Sequence, residues 1–205
     1  MQLSAGSTVV SIDTSAGGRV SSLIMDGTEL LVTAAADTLG WGLYPMVPFA
    51  GRVRDGVLMY RGLQYELPLR LPPNALHGTV LDVEWTVVEQ LPAKLTMTCD
   101  LGSDWPFAGS ITHVIDVVDG DVLFTLTLDA LEPQPAQVGW HPWFLPPRHS
   151  HHNFTAMLQK DVSGITTNQR VPVPHRKYDD CFVKPITMPW LTIDEVKVEI
   201  SSDCS

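Results

Sequence analysis

The sequence predicts an all-β sandwich or barrel, and three observations carry that prediction. Helical periodicity is almost absent along the 205 residues. Short runs alternate apolar with polar side chains, the period-two signature of strands that bury one face. Gly, Pro and Asp-Gly pairs interrupt those runs repeatedly, as turns between short strands do.

Taken in order, Thr8–Asp13 and Arg19–Met25 are strands joined across Ala16-Gly17-Gly18, and Asp26-Gly27 turns the chain into Glu29–Thr33. Val57–Leu69 is a hairpin about Arg61-Gly62, closed by Pro68 and the Pro72-Pro73 pair. Trp85–Glu89 and Lys94–Leu101 form a further pair. The clearest hairpin joins Ser110–Val118 to Asp121–Asp129, because Asp119-Gly120 suits a type I′ turn. In its second arm Val122, Phe124, Leu126 and Leu128 alternate with Leu123, Thr125, Thr127 and Asp129, so one face of that sheet covers a core. Val138–Leu145 and Asn153–Lys160 are the next strands, while Ile165–Tyr178, with Pro172 and Pro174, is expected to be a loop over a site. Val196, Val198 and Ile200 start a last alternation shortly before Ser205, which leaves that strand short of a following partner. No linker, repeat or low-complexity segment marks a boundary, so residues 1–205 are expected to form a single β domain lacking its last strands.

Composition narrows the function. At 44% hydrophobic residues the chain can fill a sizeable core, which argues against disorder. A formal net charge of −10 opposes nucleic acid and anionic membrane surfaces, and favours a neutral small molecule as partner. Cys99, Cys181 and Cys204 are odd in number and lack C-x-x-C spacing, which points to a reduced, cytoplasmic chain without a disulfide framework. No basic segment followed by an apolar run opens the sequence, and no apolar stretch approaches the ~20 residues of a membrane helix.

The run Val138–Pro147 concentrates the chemistry. His141 lies between Trp140 and Trp143 and precedes Pro142, which pushes it toward extended backbone. An imidazole gives or takes protons near neutral pH, and flat apolar walls suit the C–H faces of a sugar. A core histidine wedged between packing tryptophans would read the same way. Arg52, in Pro48–Gly56, precedes a turn and can fork onto sugar oxygens or a carboxylate, unless it is simply a surface charge. His77 follows the stiff Pro72-Pro73 pair and precedes Gly78, and is either a site residue or a satisfied structural histidine. Asp179 and Asp180 end a proline-rich segment, where paired carboxylates are commonly a solvated turn.

In combination these stretches are distinctive. Gly51-Arg52-Val53 with Asp55-Gly56, then Asn74–Gly78, Gly139–Phe144 and Asp179–Phe182, occur in that order, after an opening Gly17–Leu23 and Asp26-Gly27. The chain thereby resembles, over essentially its whole length, the aldose 1-epimerase (galactose mutarotase-like) family. The resemblance implies a large antiparallel β-sandwich, the supersandwich, with a sugar in an open cleft. It implies His141 as general acid on the ring oxygen and His77 near the reacting centre. Arg52 and Asp179 would hold hydroxyls, with Asp180 a neighbour and Trp140 a wall. The implied reaction interconverts the α and β anomers of a hexose by ring opening and closure, with no metal or organic cofactor.

Two departures matter. Many members have Asn where this chain has Gly51, which removes one polar contact. Members also carry a catalytic glutamate in a strand followed by Pro and Gln, and nothing after Phe182 matches it. Glu195 and Glu199 belong to a run that resembles the preceding strand, so neither is taken as the base and low activity is expected. Alternatives follow from other features. A non-catalytic carbohydrate-binding protein would keep the cleft without the base. A hexose-6-phosphate 1-epimerase would need a basic pocket from Arg52 and Arg54, or from Arg170, Arg176 and Lys177. A metal site at His149, His151 and His152 is the least favoured, because that run follows Pro146-Pro147-Arg148 and reads as an exposed loop.

Overall fold

The computed structural model describes residues 1–173 and 180–203. These residues form strands and one short 3-10 turn, as the period-two pattern requires, and they gather into two compact units, Met1–Leu145 and Pro146–Ser205.

The first unit opens with β1 (Gln2–Ala5), β2 (Thr8–Asp13), β3 (Arg19–Met25), β4 (Thr28–Glu29) and β5 (Leu43–Met46). Next come β6 (Arg52–Val53), β7 (Val57–Tyr60), β8 (Leu63–Glu66) and β9 (Ala75–Leu76). A long meander follows as β10 (Thr86–Leu91), β11 (Lys94–Asp100), β12 (Gly109–Val118) and β13 (Asp121–Ala130), and β14 (Gly139–Pro142) closes the unit. The second unit holds β15 (His149–His151), β16 (Phe154–Lys160), β17 (Thr166–Val171), β18 (Cys181–Pro185), β19 (Trp190–Ile193) and β20 (Val196–Glu199).

Two sheets of the first unit define its core. One has the order β1-β2-β3-β5-β14, with β4 on β3; the other is β10-β11-β12-β13. Strand β12 lies against β1 and β2, so the sheets face each other. Val10, Ile12 and Val20 from the first sheet and Leu95, Met97, Ile111 and Ile115 from the second are almost wholly buried between them. Each such side chain contributes roughly 1.5–3 kcal/mol on leaving water. Gly18 shows how closely the layers approach. A Cβ there would sit 2.9 Å from the Trp85 ring, and its φ of +62° already favours glycine. In the second unit the sheets are β15-β19-β20 and β17-β16-β18.

Several expectations change in detail. The predicted Glu29–Thr33 strand contracts to Thr28–Glu29. The Glu29 carboxylate accepts the N–H groups of Leu23, Leu30 and Leu31 at 3.0, 3.1 and 3.0 Å, and the Ser22 hydroxyl as well. Beyond Glu29 the chain leaves β3 and bridges instead to Trp143–Leu145, through Leu31 and Phe144. Ile165–Tyr178 is not a continuous loop either. Thr166–Val171 pairs with β16 and stops at Pro172, which has no N–H to give a ladder. Leu43–Met46 is a strand although Pro45 within its four residues argues against one.

His113 on β12 is a titratable group with no exposed surface. Its ring lies among Trp85, Phe124 and Trp140, and its Nε2 accepts the Trp140 indole N–H at 3.2 Å. Burial pushes its pKa from 6.5 down to about 3. The unfolded chain therefore takes up this proton below pH 6.5 while the folded chain refuses it until about pH 3. Stability is complete above that window and falls as pH drops through it. Urea unfolding should show a loss of about 2 kcal/mol from this group between pH 6.5 and pH 5, at ~1.4 kcal/mol per pH unit. The same comparison on His113→Gln should lack that component.

Candidate active site

The site grows from the pairing of β5 with β14. Tyr44 stands directly opposite His141, Pro45 opposite Trp140 and Leu43 opposite Pro142. Opposed residues of an antiparallel pair share a face, so the Tyr44 and His141 rings meet. Their centroids are 4.9 Å apart with planes 12° from parallel. Trp143 covers His141 as well, at 5.6 Å and 25°. Its backbone is held on both sides, with its N–H on Gly42 O and its carbonyl accepting from Val32 N, both at 2.8 Å. The imidazole is thus packed against a phenol that is 1% exposed and an indole that is 39% exposed. Burial raises the Tyr44 pKa above its ordinary 10.0, so the phenol stays neutral and donates to Leu39 O at 3.3 Å.

His77 meets this stack edge-on. Its ring lies 5.1 Å from that of His141, at 68°, and 6.3 Å from Tyr44. It is held by a reciprocal pair of bonds to Gly51. The His77 N–H donates to Gly51 O at 2.9 Å, and the Gly51 N–H donates to His77 Nδ1 at 3.2 Å. Because Nδ1 accepts, the neutral ring carries its proton on Nε2, the donor nitrogen. The backbone of His77 is left-handed, φ 55°, an unfavourable conformation for a residue with a Cβ and a frequent mark of functional sites. Asn74, 4% exposed, ties this loop to the next by accepting the Asp55 N–H at 3.2 Å.

Arg52 lies on the short ladder that joins these loops, opposite Leu76 and one residue from Gly51, and is half-buried. His141, His77 and Arg52 therefore belong to one neighbourhood of the first unit. Trp140 does not share the face of His141. Successive side chains alternate along a strand, so its indole turns to His113 and Phe124, both 6.3 Å away. Asp179 lies outside the described residues. Asp180 belongs to the second unit, where Lys160 is 3.7 Å from its carboxylate.

A separate hollow of about 200 Å³ is lined by Pro48, Phe49, Val53, Leu58, Trp105 and Gln137, among others. None of these six side chains titrates near neutral pH. Among the described residues no group of three or more His, Cys, Asp and Glu side chains could hold a metal ion. His151 instead stacks on Trp190 at 5.8 Å and His152 on Phe154 at 5.9 Å. No local pattern in the sequence marks Tyr44, because its pairing with His141 spans almost a hundred positions.

A family profile described as aldose 1-epimerase matches residues 2–191. The chain belongs to the aldose 1-epimerase family. Solved structures agree on the fold, which is the galactose mutarotase-like β-sandwich. A candidate aldose 1-epimerase from Escherichia coli K12 superposes with a TM-score of 0.79 at 20% identity, over 95% of this chain and 73% of its own. A galactose mutarotase-like protein from Clostridium acetobutylicum gives 0.76 at 16% identity, over 96% and 71%. A galactose 1-epimerase from Lactobacillus acidophilus NCFM gives 0.69 at 18% identity, over 90% of this chain and 60% of its own. No curated protein matches the sequence. In this family member no helix among the described residues is long and apolar enough to cross a membrane.

The Gly78 position tests the loop that carries His77. Its φ is +85°, and a Cβ there would lie 1.7 Å from Val47 O, across the bridge that joins Val47 to Gly78. Gly78→Ala should cost about 3 kcal/mol or more in urea unfolding, from left-handed strain plus overpacking. Gly27→Ala, whose Cβ would meet nothing within 4 Å, should show the strain component alone.

Proposed function

We propose that this aldose 1-epimerase family member binds a hexose at the His77–His141 pair and interconverts its anomers by acid–base ring opening. The observation that carries the reading is the approach of two imidazoles to 5.1 Å, one stacked on Tyr44 with Trp143 beside it and the other fixed by Gly51 with Nε2 as its donor.

Mutarotation needs two proton transfers. A base removes the proton of the anomeric hydroxyl while an acid protonates the ring oxygen. The C1–O5 bond breaks, the aldehyde forms, rotation about C1–C2 exposes its other face, and the reverse transfers close the ring. His141 is assigned as the acid. The Nε2–H of His77 donates to an oxygen at the reacting centre, and Arg52 and Asp179 bind hydroxyls. Trp143, open on one face, is the sugar wall in this reading. Trp140, whose indole N–H is already committed to His113, holds the strand. The base is not assigned to Glu195 or Glu199, since Arg148 is 3.6 Å from the first and Lys197 is 2.5 Å from the second. The open assignment of the base favours one second reading, sugar binding without anomerisation.

Polarimetry on freshly dissolved glucose or galactose tests the first reading directly. His141→Asn and His77→Asn should each lower kcat by on the order of 10²–10⁴, as removal of a positioned proton-transfer group does. Trp143→Ala should instead raise KM severalfold with little change in kcat, because stacking acts on ground and transition states alike. Calorimetric sugar binding with no acceleration of mutarotation would favour the binding reading. Faster turnover of glucose 6-phosphate than of glucose would move the substrate class to hexose phosphates.

A further inference from the structure

We infer that Arg19 is a positioning residue for His141, acting through Tyr44 to fix the imidazole plane and to hold the ring toward its neutral form. This rests on the reading of His141 as the acid for its meaning, though not for its measurement.

Arg19 begins β3 and has no exposed surface. A guanidinium does not lose its charge in a protein, so a full positive charge sits in the core. Its hydrogen bonds go to backbone carbonyls, Trp41 O at 2.6 Å and Ala16 O at 3.4 Å. Its Nη2 has no hydrogen-bond partner among the described residues. The remaining neighbours are rings, Trp41 with its centroid 4.2 Å from the guanidinium carbon and Tyr44 at 4.8 Å. Such contacts are worth more when desolvated.

Tyr44 therefore has two planar neighbours under 5 Å from its centre, the guanidinium and the His141 imidazole at 4.9 Å. A phenol face holds one stacked plane, so the two lie on opposite faces. The result is a row, Arg19–Tyr44–His141, with Trp41 against the guanidinium and Trp143 beside both Tyr44 and His141. Among the described residues, these charged and titratable groups face it. Asp13 and Asp82 act on Arg19 through charge, but Asp13 binds Ser15 at 2.7 Å and Asp82 pairs with Arg70. His77 and Trp143 face His141 from the other sides. Fixing a ring from behind sets its plane, and a cation one ring away disfavours imidazolium. At that separation in a partly screened interior the effect is about one pH unit.

The experiment is an NMR titration of histidine ring signals in the full chain, with His141 assigned by its loss in His141→Asn. Arg19→Met should raise the His141 midpoint by about one pH unit. Arg19→Lys, which keeps the charge, should leave the midpoint near that of the unaltered protein, and the alkaline limb of the mutarotation profile, where the acid loses its proton, should follow the midpoint. An unmoved midpoint in folded Arg19→Met overturns the inference. Should Arg19→Met fail to fold, the unaltered protein decides: a midpoint below ~6.5 that is insensitive to salt supports it, and one at or above that value overturns it. Absence of mutarotation would sink the catalytic reading while leaving the titration informative. Mutarotation with an unmoved midpoint would sink only the role of Arg19.

Discussion

The pairing of Leu43–Met46 with Gly139–Pro142 is the constraint on which the site depends. Its register sets Tyr44 across from His141, and a slip of one residue would exchange His141 for Trp140 or Pro142 on the site face. The register is fixed on both faces. On one, the Trp140 indole reaches into the core and donates to His113. On the other, the backbone of Trp143 is tied to Gly42 and Val32. The position of the imidazole is thus decided by core packing, not by the short strand that carries it.

The second histidine is held by different physics. His77 leaves the β6–β9 ladder in a left-handed conformation, a state costing on the order of 1–3 kcal/mol. The reciprocal bonds with Gly51, the buried Asn74 and the close contact of Gly78 with Val47 offset that cost. A strained loop and a packed strand thereby converge on one ring contact. Such convergence suits acid–base chemistry, which loses rate steeply when donors and acceptors are misplaced.

Membership of the aldose 1-epimerase family and the likeness to galactose mutarotase-like structures fit this geometry without dictating it. The relatives share only 16–20% identity in the comparisons with Escherichia coli and Clostridium acetobutylicum, which supports a common fold and leaves each residue's role to its own surroundings. Those surroundings separate the two indoles that flank His141. Trp143 is partly exposed beside His141, and Trp140 is engaged with His113 in the core.

The sequence by itself determined the strand class and most of the meander, because period two and turn chemistry are local properties. Asp119-Gly120 and the alternation after it specify their hairpin without help from the rest of the chain. The family was legible in the order of four short motifs, and His77, Arg52 and His141 could be named from them. Only the tertiary structure decided that Tyr44 backs His141, that Arg19 lies behind Tyr44, and that Trp140 and Trp143 part ways. Those facts arise from a ladder between residues almost a hundred positions apart and from burial of a charge between rings. Neither leaves a pattern in neighbouring residues, since long-range register is set by how whole faces pack.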